Sequence, residues 1–194
     1  MTKFFKKGAL VFAALFAGAL LFAEPAISDY QGKDAGEKIP AWVSLFDKAV
    51  GANKTGTLEY SKATKKLYKK LGLKNDKILY YSVQSGSDKE SLAADANNAA
   101  KAFALKEISQ MGQEILDKKI GQGKGSVSKP SDALGLAKAA DFWLETSDGA
   151  KKSASAYSIL QITALNRNEA ANSLANEYLR AKSLLPAADK NSER

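Results

Sequence analysis

Apolar and polar residues recur with clear periods in the middle of the chain, between residues 78 and 119. Residues 78–84 (ILYYSVQ) are rich in aromatic and aliphatic side chains, which predicts a buried strand. Ser87 and Glu90 have the spacing of a capping box, so a helix is expected to start near Asp88. Apolar positions then mark one helical face over about seven turns, namely Leu92, Ala96, Ala99, Phe103, Ile108, Met111 and Ile115. We interpret this strand and helix as the scaffold of the domain.

The segment before this unit contains two stretches with helical spacing. In the first, Trp42 and Phe46 belong to one apolar face. In the second, residues 60–71 place Tyr60, Ala63, Leu67, Tyr68 and Leu71 on one face and lysines on the others, and Gly72 follows as a C-cap. We therefore predict that residues 44–75 form a helical insertion ahead of the first strand.

Three further elements are predicted after the long helix. Pro130-Ser-Asp132 opens a second helix through about Leu144, and residues 153–165 (SASAYSILQITAL) have the composition of a strand. A last helix begins at a capping Asn166 and ends near Leu185.

Glycine-rich residues 121–125 (GQGKG) follow a helix, whereas phosphate-binding glycine loops follow a strand. We interpret them as a flexible connection. The elements together predict an α+β fold. A small antiparallel sheet would carry the long amphipathic helix on one face, with the additional helices on that same face.

The first 28 residues have the pattern of a secretory signal peptide. Three lysines form a basic start, and residues 8–23 contain no charge. Sixteen residues fall short of the ~20 that span a bilayer, so cleavage is favoured over retention as a membrane anchor. Cleavage after Ala23 and cleavage after Ser28 both fit. The mature protein would be exported to the periplasm, with association to the outer membrane as a further expectation.

The rest of the chain is predicted to form one domain with polar ends. Residues 29–38 are short, polar and glycine-containing, which predicts a flexible leader. Residues 39–185 form the single α+β domain. Residues 186–194 are predicted to be a disordered tail.

The chain contains no histidine and no cysteine. It therefore lacks the commonest general base, thiolate chemistry and the usual ligands of zinc, copper and haem. No stretch has the spacing of a calcium-binding loop. We predict no catalytic residues, no metal and no cofactor. The carboxylates near element ends are interpreted as helix-start or surface charges, and they are Asp88, Glu90, Asp132, Asp141 and Glu145.

The formal net charge is +8, and removal of residues 1–28, with three lysines and one glutamate, leaves +6. We interpret this excess as spread along the chain, which favours weak attraction to anionic surfaces and gives little support for nucleic-acid binding. The candidate partner-binding residues are the lysines of the basic helix and one tryptophan, namely Lys62, Lys65, Lys66, Lys69, Lys70 and Trp42. The commoner role of such residues is a solvated helix face or a core side chain.

Several motifs occur in an order that points to one family. Pro40-x-Trp42-Val43 is followed by a strand with Tyr81-Ser-Val83, by an alanine-rich helix, and by Trp143 with Asp148-Gly149 ahead of a strand that reads YSILQIT. This order resembles the LPP-twenty family of small bacterial membrane-associated lipoproteins. More weakly, it is similar to the N-terminal domain of flagellar assembly proteins of the FlgT type.

The resemblance implies an exported protein of the periplasm or outer membrane with an α+β fold and no enzymatic activity. The chain departs from the family in lacking the lipobox cysteine, so lipid anchoring is not expected. It also carries the additional segment 44–75.

We therefore expect a non-enzymatic, envelope-associated protein that acts as a binding or structural module. Its partner would be an envelope protein, the cell wall or an anionic membrane surface. The first alternative is a periplasmic protein that binds a small ligand or lipid, with the tyrosine-rich strand and Trp143 lining a pocket. The less favoured alternative is a hydrolase that works without histidine, through paired carboxylates or a Ser–Lys pair.

Overall fold

The computed structural model describes residues 30–31, 40–87, 89–130, 135–148 and 151–182. The strands are β1 (Tyr30–Gln31), β2 (Thr55–Glu59), β3 (Lys77–Gly86), β4 (Ala137–Asp148) and β5 (Lys151–Thr163). The helices are α1 (Ala41–Val50), α2 (Lys65–Lys70), α3 (Lys89–Ile120) and α4 (Ala164–Ala181). The predicted signal peptide, its cleavage sites and the predicted tail lie outside the described residues.

The strands form one sheet with the order β1-β4-β5-β3-β2. Strands β2 to β5 pair in antiparallel fashion, which confirms the predicted α+β class with an antiparallel sheet. Strand β1 pairs in parallel with β4, opposite Phe142 and Trp143. Tyr30 and Gln31 of the predicted flexible leader thus lie in this short edge strand.

The long helix α3 covers one face of the sheet, as its periodicity predicts. Its buried residues recur at every fourth position along most of its length, namely Leu92, Ala96, Ala100, Ala104, Ile108 and Leu116. The three alanines have no exposed surface, and their small side chains let the helix lie close to β3 and β5. Ala100 and Ala104 lie in one cluster with Tyr80 and Leu160 of the sheet, and Ala96 lies in another with Ala154 and Ala156 of β5.

Helices α1 and α2 pack against the opposite face of the sheet, so the prediction that all helices share one face is wrong. Trp42 and Phe46 of α1 and Leu67 of α2 form a core with Leu79 and Tyr81 of β3. The reason lies in the central strand, because every residue from 78 to 83 is buried. A strand that is apolar on both faces needs cover on both.

Residues 44–75 contain an edge strand, so the prediction of a helical insertion is wrong for Thr55–Glu59. This strand, β2, pairs with β3 from Thr55 opposite Ser82 to Glu59 opposite Ile78. Its two β-branched threonines favour extended backbone. The segment therefore extends the sheet, and its helical parts are the end of α1, up to Val50, and α2.

Residues 137–148 form strand β4, so the prediction of a helix from Pro130 to about Leu144 is wrong for residues 137–144. The local sequence AKAAD consists largely of good helix formers. Pairing with β5 along nearly its whole length decides the outcome instead. A register shift between Lys138 and Ala140 also breaks the alternation that marks a strand in sequence.

Helix α4 is the last described element and packs on α3. Its N-cap is Thr163, whose hydroxyl accepts a hydrogen bond from the backbone N–H of Asn166 at 3.1 Å. The helix thus begins before the predicted Asn166. At its crossing with α3, a Cβ added to Gly112 would lie 3.1 Å from the carbonyl oxygen of Ala171, so glycine permits this close approach.

The glycine-rich connection after α3 forms hydrogen bonds with side chains of α3 and α4. The Gln113 side chain donates to the carbonyl oxygen of Gly125 at 2.9 Å and accepts from the N–H of Val127 at 3.0 Å. The Tyr178 hydroxyl donates to the carbonyl oxygen of Lys124 at 3.2 Å. These contacts tie the connection to both α3 and α4.

Candidate functional site

The lysines predicted to bind a partner all lie at the surface around α2. We define the basic surface as six exposed lysines in and beside this helix, namely Lys62, Lys65, Lys66, Lys69, Lys70 and Lys74. None of them forms an ion pair with a carboxylate in the described part of the chain. Their positive charge is therefore available to an external anion.

The excess positive charge of the chain is concentrated here, so its interpretation as dispersed is wrong. Residues 41–77 contain nine lysines and three carboxylates, an excess of six. Residues 78–194 contain fifteen basic and fourteen acidic residues, an excess of one. Because the lysines of the first segment cluster around one short helix, they create a local positive potential.

Two of the three carboxylates in this segment have other partners. Glu59 pairs with Arg167 at 3.1 Å. Burial raises the pKa of the Asp47 carboxyl, while a hydrogen bond with Tyr157 and the charge of Lys54 act in the opposite direction. These carboxylates therefore do little to neutralise the lysines around α2.

Trp42 is a core residue, so its selection as a partner-binding residue is wrong. Its side chain is 4% exposed and makes edge-to-face contacts with Phe46 and Phe142. Its indole N–H has no acceptor among the described residues. A partner at the protein surface cannot reach it while this core is folded.

The apolar face of α2 is used inside the protein. Leu67 and Tyr68 are each 1% exposed. The Tyr68 hydroxyl shares its single proton between the carbonyl oxygens of Leu58 at 3.1 Å and Lys77 at 2.8 Å. Tyr60, predicted to share this face, is exposed. Helix α2 thus offers charge to a partner but no apolar face for insertion into a bilayer.

A cleft of about 390 Å³ lies between the N-terminal half of α3 and the edge of the sheet. It exists because α3 packs on β2, β3 and β5 and makes few contacts with β4. The small side chains of Ala93, Ala94 and Ala156 keep it open. Trp143 lines it, as predicted for a pocket, but the tyrosine-rich strand β3 does not.

The polar groups of this cleft come from three elements. Lys138 and Asp141 of β4 form an ion pair in it, with side chains 44% and 32% exposed. Asn97 of α3 lies opposite, and its side-chain oxygen accepts a 3.5 Å hydrogen bond from the Ser158 hydroxyl of β5. The cleft therefore combines a cation, a carboxylate, an amide and a hydroxyl.

A β-bulge in β4 brings the ion pair together. In a regular strand, residues three apart face opposite sides of the sheet. Here Lys138 pairs with Leu160 and Asp141 with Ser158, and both partners face α3. The extra residue between them reverses the alternation, so both side chains point into the cleft. No pattern in the sequence marks this bulge.

A second polar cluster ties four elements together near the other edge of the sheet. Glu107 of α3 accepts hydrogen bonds from Thr57 of β2 at 2.6 Å, from Tyr80 of β3 at 3.0 Å and from Arg167 of α4 at 3.2 Å. Burial, and next the Glu107 charge, raise the pKa of the Tyr80 hydroxyl. Every contact of Glu107 is internal, so we assign this cluster a structural role.

The carboxylates considered for catalysis are not brought together among the described side chains. Asp141 alone of the five lines the cleft. The side chains of the other four, Asp88, Glu90, Asp132 and Glu145, lie outside the described residues. Across the ranges described, no group of three acidic residues is placed to hold a metal ion. In those same ranges, no helix has the length and apolar character to cross a membrane.

Comparisons with protein-family models, with curated proteins and with solved structures found no match. The resemblance to the LPP-twenty family therefore stays a prediction from the order of motifs. The features of the structure that bear on function are the basic surface and the cleft.

Proposed function

We propose that this protein is an exported, non-enzymatic binding protein of the bacterial envelope, and that the basic surface is its contact with an anionic envelope component. The observation that carries the proposal is the cluster of exposed lysines around α2, free of ion pairs within the described residues. The partner chemistry is an array of phosphate or carboxylate groups, supplied by lipid headgroups or by a cell-wall polymer.

Contact through the basic surface would be electrostatic. The apolar side of α2 is sealed in the core by Leu67 and Tyr68, so insertion of this helix into lipid would require unfolding it. Each lysine near an anionic membrane surface contributes about 1 kcal/mol. Binding through charge alone weakens steeply as salt rises, because screening shortens the reach of each charge.

Sedimentation with vesicles and with purified cell wall tests the proposal and separates the two sources. The test variant replaces Lys65, Lys66, Lys69 and Lys70 by glutamine. The control replaces four exposed lysines elsewhere, Lys106, Lys118, Lys129 and Lys182, so the net charge falls equally. Loss of four contacts predicts a roughly 10²–10³-fold weaker association for the test variant.

The sedimentation results distinguish the lipid source from the cell-wall source and test the role of the basic surface. Binding to vesicles with anionic lipid but not to neutral vesicles assigns the lipid source, and binding to cell wall alone assigns the polymer. Equal loss in both variants would show that net charge acts without the basic surface. Binding that both variants retain would overturn the proposed role of the basic surface.

Export is tested separately by fractionation and by mass measurement of the mature N-terminus. Recovery from the periplasm or outer membrane, cut after Ala23 or after Ser28, is expected. Recovery from the cytoplasm with an intact N-terminus would contradict the envelope location.

A second candidate function, binding of a small ligand, is favoured by the cleft beside Trp143. Its volume lies in the usual range for small-molecule pockets, and it combines apolar walls with a few convergent polar groups.

A further inference from the structure

We infer that the cleft between α3 and β4 binds an uncharged saccharide unit. The inference rests on the second candidate function above and is independent of the basic surface. The ligand class follows from the chemistry of the lining, which contains Trp143 and four polar residues, Lys138, Asp141, Asn97 and Ser158.

The charge of the cleft favours a neutral ligand. Lys138 and Asp141 are paired with each other, so the described lining carries no net charge. A phosphate or carboxylate ligand would gain from Lys138 but meet the Asp141 carboxylate at close range. A cationic ligand would gain from the Asp141 carboxylate but meet the Lys138 ammonium at close range. Either ion would also have to break the existing pair to gain a strong contact.

The hydrogen-bonding groups favour hydroxyls over an acyl chain. The carboxylate of Asp141 accepts, the ammonium of Lys138 donates, and the amide of Asn97 and the hydroxyl of Ser158 do both. A sugar hydroxyl also donates and accepts, so neighbouring hydroxyls match such a mixed set. An acyl chain would cover these groups without replacing their water, and that costs free energy at each one.

The apolar part of the lining suits the C–H face of a sugar ring. Trp143 contributes aromatic surface to the lining. The face of an aromatic ring carries partial negative charge and attracts polarised C–H groups. Ala93, Ala94 and Ala156 are too small to occupy the space themselves. A pyranose offers both surfaces at once, an apolar face and a rim of hydroxyls.

Calorimetry and saturation-transfer NMR on the whole mature protein test this inference. The probes are glucose, N-acetylglucosamine, N,N′-diacetylchitobiose and maltose, each up to roughly 10 mM, which exceeds the dissociation constant of a weak specific site. Saturable binding of at least one of them is expected, with transfer strongest to the ring C–H protons. A medium-chain fatty acid and inorganic phosphate serve as comparison ligands.

Three variants connect binding to the cleft. Trp143→Ala and Asp141→Ala are each expected to weaken saccharide binding about tenfold or more, since each removes a direct contact. Asn97→Ala alters an exposed side chain on α3, so it tests the cleft even if a β4 variant fails to fold. Tyr60→Ala removes an exposed aromatic residue outside the lining and is expected to leave binding unchanged.

The comparison ligands separate two kinds of failure. Binding of the fatty acid or phosphate without any saccharide, if it is weakened in Asn97→Ala, would overturn the saccharide inference and retain a ligand-binding cleft. The same binding left unchanged in Asn97→Ala, such as phosphate held by the basic surface, would overturn both. No binding of any probe would overturn both. Saccharide binding that survives in Trp143→Ala and Asn97→Ala would show that the sugar binds elsewhere, and this also overturns the inference.

Discussion

Replacement of Glu107 by alanine is expected to destabilise the protein by about 3 kcal/mol. The carboxylate accepts three hydrogen bonds, at 2.6 Å from Thr57, at 3.0 Å from Tyr80 and at 3.2 Å from Arg167. A hydrogen bond to a charged group contributes about 1.5–3 kcal/mol. The sum is discounted because the Glu107 side chain is 27% exposed and the ion pair with Arg167 is partly screened by water.

The alanine variant also leaves Arg167 less well paired. Its side chain is 16% exposed, and its remaining ion-pair partner would be Glu59, which is 61% exposed. The Nε atom of Arg167 is already buried without an acceptor among the described residues. A poorly compensated, largely buried guanidinium adds to the cost of the substitution.

Thermal and urea unfolding measure the effect. A loss of about 3 kcal/mol lowers the Tm of a domain of this size by roughly 6–12 °C. Glu114→Ala is the matched control, because Glu114 is an exposed glutamate on the same helix. Its effect is expected within about 0.5 kcal/mol.

A double-mutant cycle separates the cluster from an ordinary surface charge. Glu107→Ala and Tyr80→Phe should show a coupling energy of at least about 0.5 kcal/mol, because both remove the same hydrogen bond. A loss below about 1 kcal/mol in Glu107→Ala, with no coupling to Tyr80→Phe, would refute the reasoning. The cluster would then be no stronger than an exposed ion pair.

Three further predictions test other parts of the fold. Gly112→Val should cost about 1–3 kcal/mol in urea unfolding, since its Cβ would press on the Ala171 carbonyl, whereas Val at the exposed Ala102 of the same helix should cost less. Trp42→Ala should cost about 3–5 kcal/mol by thermal melting, because this core side chain is 4% exposed, and a cost below about 1 kcal/mol would contradict its burial. Burial, and next the Glu59 charge, raise the pKa of the Tyr68 hydroxyl in the folded protein. The protonated hydroxyl therefore stabilises the fold fully below the pKa of about 10 in the unfolded chain. This stabilisation is lost as the pH rises towards the pKa in the folded protein. Tyr68→Phe should therefore flatten the fall in urea stability above about pH 10, and an unchanged slope would refute this origin.

The strongest periodic segments could be predicted from the sequence because their burial pattern is local. Strand β3 and helix α3 lie within a few residues of their predicted bounds, and β5 within two at each end. In α3 the recurrence of apolar residues and the Ser87–Glu90 capping pattern belong to one segment, so no distant contact is needed to recognise them. The α+β class followed from these elements.

Strands β2 and β4 could not be predicted because their conformation depends on their neighbours. Residues 137–140 (AKAA) favour a helix in isolation, yet hydrogen bonding to β5 makes them extended. Strand β2 contains two glycine-flanking threonines in a lysine-rich region, and pairing with β3 alone defines it as a strand. Strand propensity depends more on such context than helix propensity does.

In the candidate sites, too, some features follow from the local sequence and others depend on tertiary packing. Five of the six lysines of the basic surface were identified from sequence, because an exposed charge on a helix follows from helical spacing. The structure added Lys74, which follows the helix. Trp42 was kept as a candidate although a core role was the commoner expectation, because only the packing decides between the two.

By itself, the sequence determined the central strand, the long helix, the absence of histidine and cysteine, and the positions of the positive charges. Only the tertiary structure decided that helices cover both faces of the sheet, that a bulge turns Lys138 and Asp141 to one side, and that a cleft opens beside Trp143. The physical reason is the range of the interactions. Helical periodicity arises between residues three and four apart, whereas strand register and cleft walls join residues from distant parts of the chain.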